Sequence, residues 1–353
     1  MGRKSLNRSL QAARTAKEDE FYTQLSDIEK ELKHYTAHFK DKTVLCNCDD
    51  PRVSNFFHYF SHNFERLKLK KLITTCYQSN DADLFSTHTP EKGKYLVYEG
   101  DKDGDRRPGP DETAIRDLKG DGDFRSPECV ELLKLADIVV TNPPFSLFSE
   151  YVAQLIEHDK KFLIIGNHNA ITYKEIFRYI KDNKLWLGYS HPVAFVVPGH
   201  YEMRQSRSWR DENGTNWRSL GNACWFTNLD IAKRHEDLIL IKRYSPEEHP
   251  RYDNYDAIDV PKYKEIPLDY AGVMGVPITF LEHHNPDQFE IVGTLESSDP
   301  ENPYRTRWYS AQDQKDAYFR RFGEPGTIPL NMSGVINDVK VFKRILIRRK
   351  GTT

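Results

Sequence analysis

The chain has 353 residues, with 51 Lys and Arg against 53 Asp and Glu, a net charge of −2, and 38% hydrophobic and 29% charged residues. That length suits one large domain or two of ordinary size, and the balance excludes a disordered polyelectrolyte. No apolar run approaches the roughly 18 residues of a membrane span, and five irregularly spaced cysteines argue against a disulfide framework and for a reducing cytoplasm.

Met1 to Lys17 carries Arg3, Lys4, Arg8, Arg14 and Lys17 before the first acidic residue, Glu18, and has no apolar stretch of the secretory kind. Residues 1–18 are expected to form a basic arm, either solvated or reaching for phosphate. Leu25, Ile28, Leu32 and Tyr35 recur at helical spacing and predict a helix from about Gln24 through Phe39. A buried strand over 43–48 then ends in Asp49-Asp50-Pro51, and an aromatic helix over 54–64 follows, starting near Pro51. Residues 70–77 read as a second strand and 94–98 as a third candidate. The Asp-, Gly- and Pro-rich stretch 100–110 reads as an exposed loop.

After Gly120-Asp121-Gly122-Asp123-Phe124-Arg125-Ser126, a helix over 127–135 leads into the apolar run Ile138 to Val140. Helix 149–158, strand 162–165, helix 173–181 and strands 185–188 and 194–197 follow. Such alternation predicts an α/β fold with a doubly wound, mostly parallel sheet. Residues 201–220 have no clean period and read as a long loop in which Arg204, Arg207, Arg210 and Arg218 interleave with Trp209 and Trp217. Residues 223–227 are strand-like, 244–272 irregular, and 339–349 an alternating, basic strand candidate.

The chemistry concentrates in Asn142-Pro143-Pro144-Phe145. Two prolines fix φ and remove donors, so the chain must leave the strand in an extended turn with carbonyls free to accept. At the carboxyl end of a strand in an open α/β sheet, that turn lies where such folds bind ligands. An amide, carbonyls and an aromatic face on one rigid loop suit a planar, amine-bearing substrate such as a nucleobase. A plain proline-rich loop with Phe145 as a core plug fits the tetrapeptide equally well. No metal is expected: Cys46 and Cys48 lack zinc spacing. Asp101, Asp103, Asp105 and Glu112 match a calcium loop only in part, since Arg106 stands where glycine is required.

Six blocks, in order and over nearly the whole chain, resemble the EcoRI-type adenine-specific DNA methyltransferases. They are Asp19-Glu20-Phe21-Tyr22-Thr23-Gln24, Cys46-Asn47-Cys48-Asp49-Asp50-Pro51-Arg52-Val53-Ser54-Asn55-Phe56-Phe57, Gly120 to Arg125, Thr141 to Phe148, Thr227-Asn228-Leu229-Asp230 and Gly272 to Phe280. The resemblance implies a Rossmann-like methyltransferase sheet over residues 19–200, binding S-adenosylmethionine and carrying catalysis. It implies an irregular target-recognition region with the remaining strands over 201–353.

On that resemblance the Asn142 side-chain oxygen and the Pro143 carbonyl accept from the amine of a flipped-out adenine, in a loop stiffened by Pro144, and Phe145 stacks on the base. Phe21, Tyr22 and Thr23 would pack over the methionine part of the cofactor, and Asp123 and Phe124 would meet its adenine ring. Asn47, Asp49 and Asp50 form the turn where related enzymes have glycine. Asp49 and Asp50 serve there either as ligands of the cofactor's amino group or as helix caps. Arg204, Arg207, Trp209, Arg210, Trp217 and Arg218 are the DNA-binding candidates.

The implied partner is double-stranded DNA, with the target sequence GAATTC as one expectation. The implied setting is a monomer in the cytoplasm, free of membrane, working beside a cognate restriction endonuclease without a stable complex. The rival readings are a cytosine-N4 methyltransferase and a catalytically silent DNA-binding subunit.

Overall fold

The structure is a computed structural model that describes residues 22–48, 54–76, 92–102, 104, 108, 109, 112, 113, 115–197, 207–219, 221–296 and 302–351. The chain divides into two compact units, one running to Ile180 together with Lys184–Leu229, the other comprising Lys181–Asn183 and Asp230 onward. The stretch 207–219 thus falls in the first unit. No helix among the described residues is long and apolar enough to cross a membrane.

The first unit begins with β1 (Tyr22–Thr23), α1 (Leu25–Leu32), β2 (Thr43–Asn47), α2 (Asn55–His62), α3 (Phe64–Leu67), β3 (Lys71–Cys76), β4 (Lys94–Tyr98) and β5 (Arg116–Asp117). It continues with α4 (Pro127–Leu135), β6 (Ile138–Thr141), α5 (Phe148–Glu157), β7 (Lys161–Asn167), α6 (Lys174–Lys181) and β8 (Trp186–Leu187). The last strands are β9 (Ala194–Val196), β10 (Ser208–Arg210), β11 (Asn216–Ser219) and β12 (Ala223–Thr227). Local chemistry sets several boundaries. Ser126 caps α4 by accepting from Cys129 N at 3.2 Å with Pro127 in the first turn, and Ser54 caps α2 by accepting from Phe57 N at 3.3 Å.

Eight strands form the main sheet in the order β5-β4-β3-β2-β6-β7-β12-β8. The pairs β3–β2, β2–β6 and β6–β7 are parallel, whereas β4 and β12 run against their neighbours on both sides. Six of the eight strands thus run in one direction and three of the seven ladders are parallel, so the sheet is partly parallel. Sequential parallel neighbours need a crossover of a dozen or more residues, and helices supply it between β2 and β3 and between β6 and β7. Every residue of β2, β6 and β12 is buried, as strands covered on both faces require. Chain order reverses beside β2, which is followed by β3 on one flank and has β6 on the other. That is a topological switch point, and open α/β sheets bind ligands in the crevice at the carboxyl ends of such strands.

A second sheet runs β1-β9-β11-β10. It contains the stretch 207–219, expected as a loop, as a hairpin of β10 and β11, and residues 194–196, expected in the main alternation, as its second strand. Asp211 organises the turn: its Oδ1 accepts from Asn213 N at 3.0 Å and Thr215 N at 2.9 Å, and Gly214 takes a positive φ of 82°.

The second unit contains β13 (Ile258–Asp259), β14 (Val273–Val276), β15 (Phe289–Thr294), α7 (Ala311–Phe322), β16 (Val335–Ile336), β17 (Val339–Lys340) and β18 (Ile345–Arg349). The single strand expected over 339–349 is two, and β18 lies between β14 and β15 in a sheet ordered β13-β14-β18-β15. Gly275, in one of the resembling blocks, is glycine for packing: a Cβ there would collide with the Tyr252 hydroxyl. That hydroxyl donates to Asp259 Oδ1, which also accepts from Arg344 Nε at 3.1 Å in a buried ion pair.

Candidate active site

β6 ends at Thr141 because Pro143 and Pro144 have no amide proton to continue a ladder. Pro144 is extended (φ −55°, ψ 123°), and its carbonyl accepts from Leu147 N at 3.0 Å, closing a 3₁₀ turn over Phe145–Leu147 that runs into α5. One of the two carbonyls expected to be open is thus used inside the turn, which leaves that of Pro143 as the candidate acceptor. Asn142, Pro144 and Phe145 are half-buried and Pro143 is buried. The core-plug role belongs to Phe148, 1% exposed, with its ring 4.9 Å from Phe226 and lying where a Cβ on Gly166 would be.

Across the switch point, the end of β2 is sewn to this loop. The Thr141 hydroxyl donates to the Asn47 carbonyl, and the Tyr151 hydroxyl of α5 donates to the Asn47 side-chain oxygen. Tyr151 is fully buried and stands edge-on to Phe124, centroids 5.0 Å apart at 76°. Gln154 donates to the Phe124 carbonyl at 3.1 Å. Thr141, Asn47, Tyr151 and Phe124 therefore join the ends of β2 and β6 to the loop before α4. Asn47 and Phe124 stand out in the sequence, but Thr141 and Tyr151 do not show there as their partners. Nothing local marks hydrogen bonds that span 94 and 104 positions. Tyr151→Phe keeps the ring and strands the buried Asn47 oxygen, so urea unfolding should show a loss of about 1–2 kcal/mol.

Cys48 takes φ 69°, the left-handed region that glycine fills most easily, in the turn that has no glycine. Cys48→Gly should leave the melting temperature nearly unchanged, whereas the β-branched Cys48→Val should cost about 1–2 kcal/mol. Phe21, Asp49 and Asp50 lie outside the described residues.

Tyr22 and Thr23 make up β1, paired with Val196 and Phe195. Asn55, the first residue of α2, donates its side-chain amide to the Thr23 carbonyl at 2.7 Å, tying β1 to the helix that follows the β2 turn. The Thr23 hydroxyl oxygen is buried with no hydrogen-bond partner among the described residues. Asp123 is gripped by Arg125, whose Nε and Nη2 reach its two oxygens at 2.9 and 2.6 Å, and this fork holds its carboxyl below the usual range. Arg125 in turn reaches Glu150 of α5 at 3.1 Å. Phe124 is buried beneath this pair.

On the hairpin, Trp209 faces Trp217 across the ladder with rings stacked at 6.1 Å and 7°, and Trp217 Nε1 donates to Asp211 Oδ2 at 2.8 Å. Arg210 pairs with Asn216 and Arg218 with Ser208, so the two arginines lie on the face opposite the tryptophans. Arg207, Trp209 and Arg210 are exposed, Trp217 and Arg218 half-buried; Arg204 lies outside the described residues. Among the described residues no cluster of three or more His, Cys, Asp or Glu is placed to hold a metal. In the calcium-loop lookalike, Asp101 instead accepts from Gly104 N at 2.7 Å and Glu112 from Gly109 N at 3.0 Å; Asp103 and Asp105 are outside the described residues.

The profile of a family described as adenine-specific methyltransferase EcoRI matches residues 9–350. The type II methyltransferase M.EcoRI of Escherichia coli is 54% identical over 297 residues, covering 83% of this chain and 90% of its own. Type II methyltransferases M.MgeORF184P of Mycoplasma genitalium and M.MpnI of Mycoplasma pneumoniae are 40% and 39% identical, over 83% of this chain and 87% and 86% of theirs. No solved structure matches the chain. With the family profile running almost end to end, this chain belongs to the EcoRI-type adenine-specific DNA methyltransferases.

Proposed function

We propose that this enzyme transfers a methyl group from S-adenosylmethionine to N6 of an adenine flipped out of duplex DNA, at the Asn142–Phe145 loop. The observation that carries the assignment is the place of that loop: it leaves β6 at the switch point with Phe148, not Phe145, filling the core. In this reading Asn142 and the Pro143 carbonyl accept from the exocyclic amine and hold its lone pair toward the methyl donor. Catalysis is then positioning and electrostatics without a covalent enzyme intermediate. Phe145 stacks on the base for about 1–3 kcal/mol, offsetting part of the few kcal/mol that flipping costs.

The residues around the β2 turn fit the cofactor in their chemistry. Thr23 brings a buried hydroxyl with no partner among the described residues, and Asp123 a carboxylate kept ionised. S-adenosylmethionine, when bound, supplies the electrophilic methyl group. We assign cofactor binding and catalysis to residues 19–200 and target recognition to 201–353. The hairpin of β10 and β11 is the DNA-reading element, since a two-stranded ribbon fits the major groove and can present arginines on one face and tryptophans on the other. The remaining parts of the proposal are a monomer, a cognate endonuclease that makes no stable complex, and GAATTC as target.

Incubation with labelled S-adenosylmethionine and unmethylated DNA should place the label on N6-methyladenine after nucleoside digestion. Label on cytosine would favour the N4 alternative, and tight DNA binding with no label a silent subunit. Sequencing the methylated positions in treated genomic DNA tests the target; sites other than GAATTC would overturn that part alone.

A further inference from the structure

Charge is segregated along the chain. Residues 302–351 contain eleven Lys and Arg against four Asp and Glu, a net charge of +7 in a chain whose total is −2. Part of that charge is used internally: Arg344 forms the buried pair with Asp259, and Arg307 and Arg320 reach Asp313 and Asp338 at 3.2 and 2.7 Å. Lys315 and Arg321, both exposed on α7, make no ion pair among the described residues.

The outer side of α7 departs from what a solvated helix face carries. Lys315, Phe319 and Phe322 follow at i, i+4 and i+7, and both phenylalanines are exposed, at 57% and 50%. A solvent-facing stripe is ordinarily polar, whereas clustered exposed rings mark a contact surface. The Tyr318 ring lies tilted beside Phe322 with centroids 4.6 Å apart, and the Arg321 guanidinium lies 5.1 Å from the Phe322 ring centre.

This platform is rigid. A capping box between Ser310 and Asp313 starts the helix, and Gly323 closes it at φ 73°. Ala317 is buried with Tyr309, Leu330 and Val335. Ordered rings beside unneutralised cations are the combination that holds nucleic acid, the cations on phosphates and the rings on sugar or base faces.

We infer that the outer face of α7 is a second DNA-binding surface, gripping duplex outside the methylated sequence and independent of base identity. The inference rests on the reading of DNA as substrate. Its test compares Lys315→Gln/Arg321→Gln and Phe319→Gln with wild type on a duplex of about 14 base pairs holding one target site and on one of about 40. Wild type should bind the longer duplex more tightly, and the double variant should lose that gain. Its log affinity against log salt should be shallower by about 2, near 0.9 for each phosphate that is no longer neutralised. Phe319→Gln should lose part of the length gain with no change in salt slope.

A retained length gain and slope would overturn the inference. So would a change in sedimentation without a change in DNA affinity, which would make the face an interface between two copies of the chain. Absence of adenine methylation in wild type would instead strike the functional reading, so the two failures are distinct.

Discussion

Asn142→Ala should abolish methyl transfer, by a factor of about 1,000 or more in turnover, while the affinities for S-adenosylmethionine and DNA stay within about tenfold, or 1.4 kcal/mol. The asymmetry follows from what the side chain is proposed to do. Its oxygen acts on the amine as charge develops in the transition state, whereas the base is held largely by stacking and the duplex by groups elsewhere. Nor should the fold suffer. The loop around Asn142 is set by two prolines and the Leu147–Pro144 hydrogen bond. Initial rates, titration of cofactor and DNA, and a thermal melt separate these quantities. A variant that unfolds, or that keeps its turnover, would remove Asn142 from the proposed chemistry.

The largest loss of stability is expected from Glu31→Ala. Glu31 is fully buried on α1, and its carboxylate accepts four hydrogen bonds: from Tyr35 OH at 2.8 Å, Tyr189 N at 2.8 Å, Ser190 N at 2.7 Å and Ser190 Oγ at 2.7 Å. Burial and the neighbouring Glu31 push the Tyr35 phenol far above its ordinary range, so it stays a donor. Removing the carboxylate leaves these buried donors without an acceptor, at about 1–3 kcal/mol for each that water cannot reach. A total of about 4 kcal/mol or more is expected, lowering the melting temperature by about 10 °C in a unit of this size. Glu31→Gln, which keeps the volume but turns an amide toward a donor, should fall between. A melting temperature within about 2 °C of wild type for Glu31→Ala would show that the cluster contributes little. The cluster also bears on the site: α1 follows β1 almost directly, and Tyr189 and Ser190 lie on the chain that enters β9, the partner of β1.

Where local chemistry is decisive, the sequence was enough. The helix 127–135 appears as expected, because Ser126 and Pro127 define its start, and β2, β6 and β7 appear within two residues, because apolar runs of that length bounded by polar turns leave few alternatives. The abrupt exit at Pro143 and Pro144 was equally legible, since proline acts on its own backbone. The long region 244–272 is largely irregular, as its Tyr-, Pro- and Asp-rich composition implied.

What required the tertiary structure shares one physical cause: it depends on partners far apart in the chain. Strands of three and four residues are too short to give a periodic signal, so the hairpin of β10 and β11 read as a loop. Only its pairing puts tryptophans on one face and arginines on the other. Strand direction in β4 and β12 is likewise fixed by neighbours and not by composition. The carboxylate of Glu31 meets its donor Ser190 159 positions away, and Tyr151 reaches Asn47 across 104. The residues of the Asn142–Phe145 turn were given by their own chemistry; that Phe148 fills the core in place of Phe145, and that Tyr151 and Thr141 bind this turn to the end of β2, was decided by packing between distant segments.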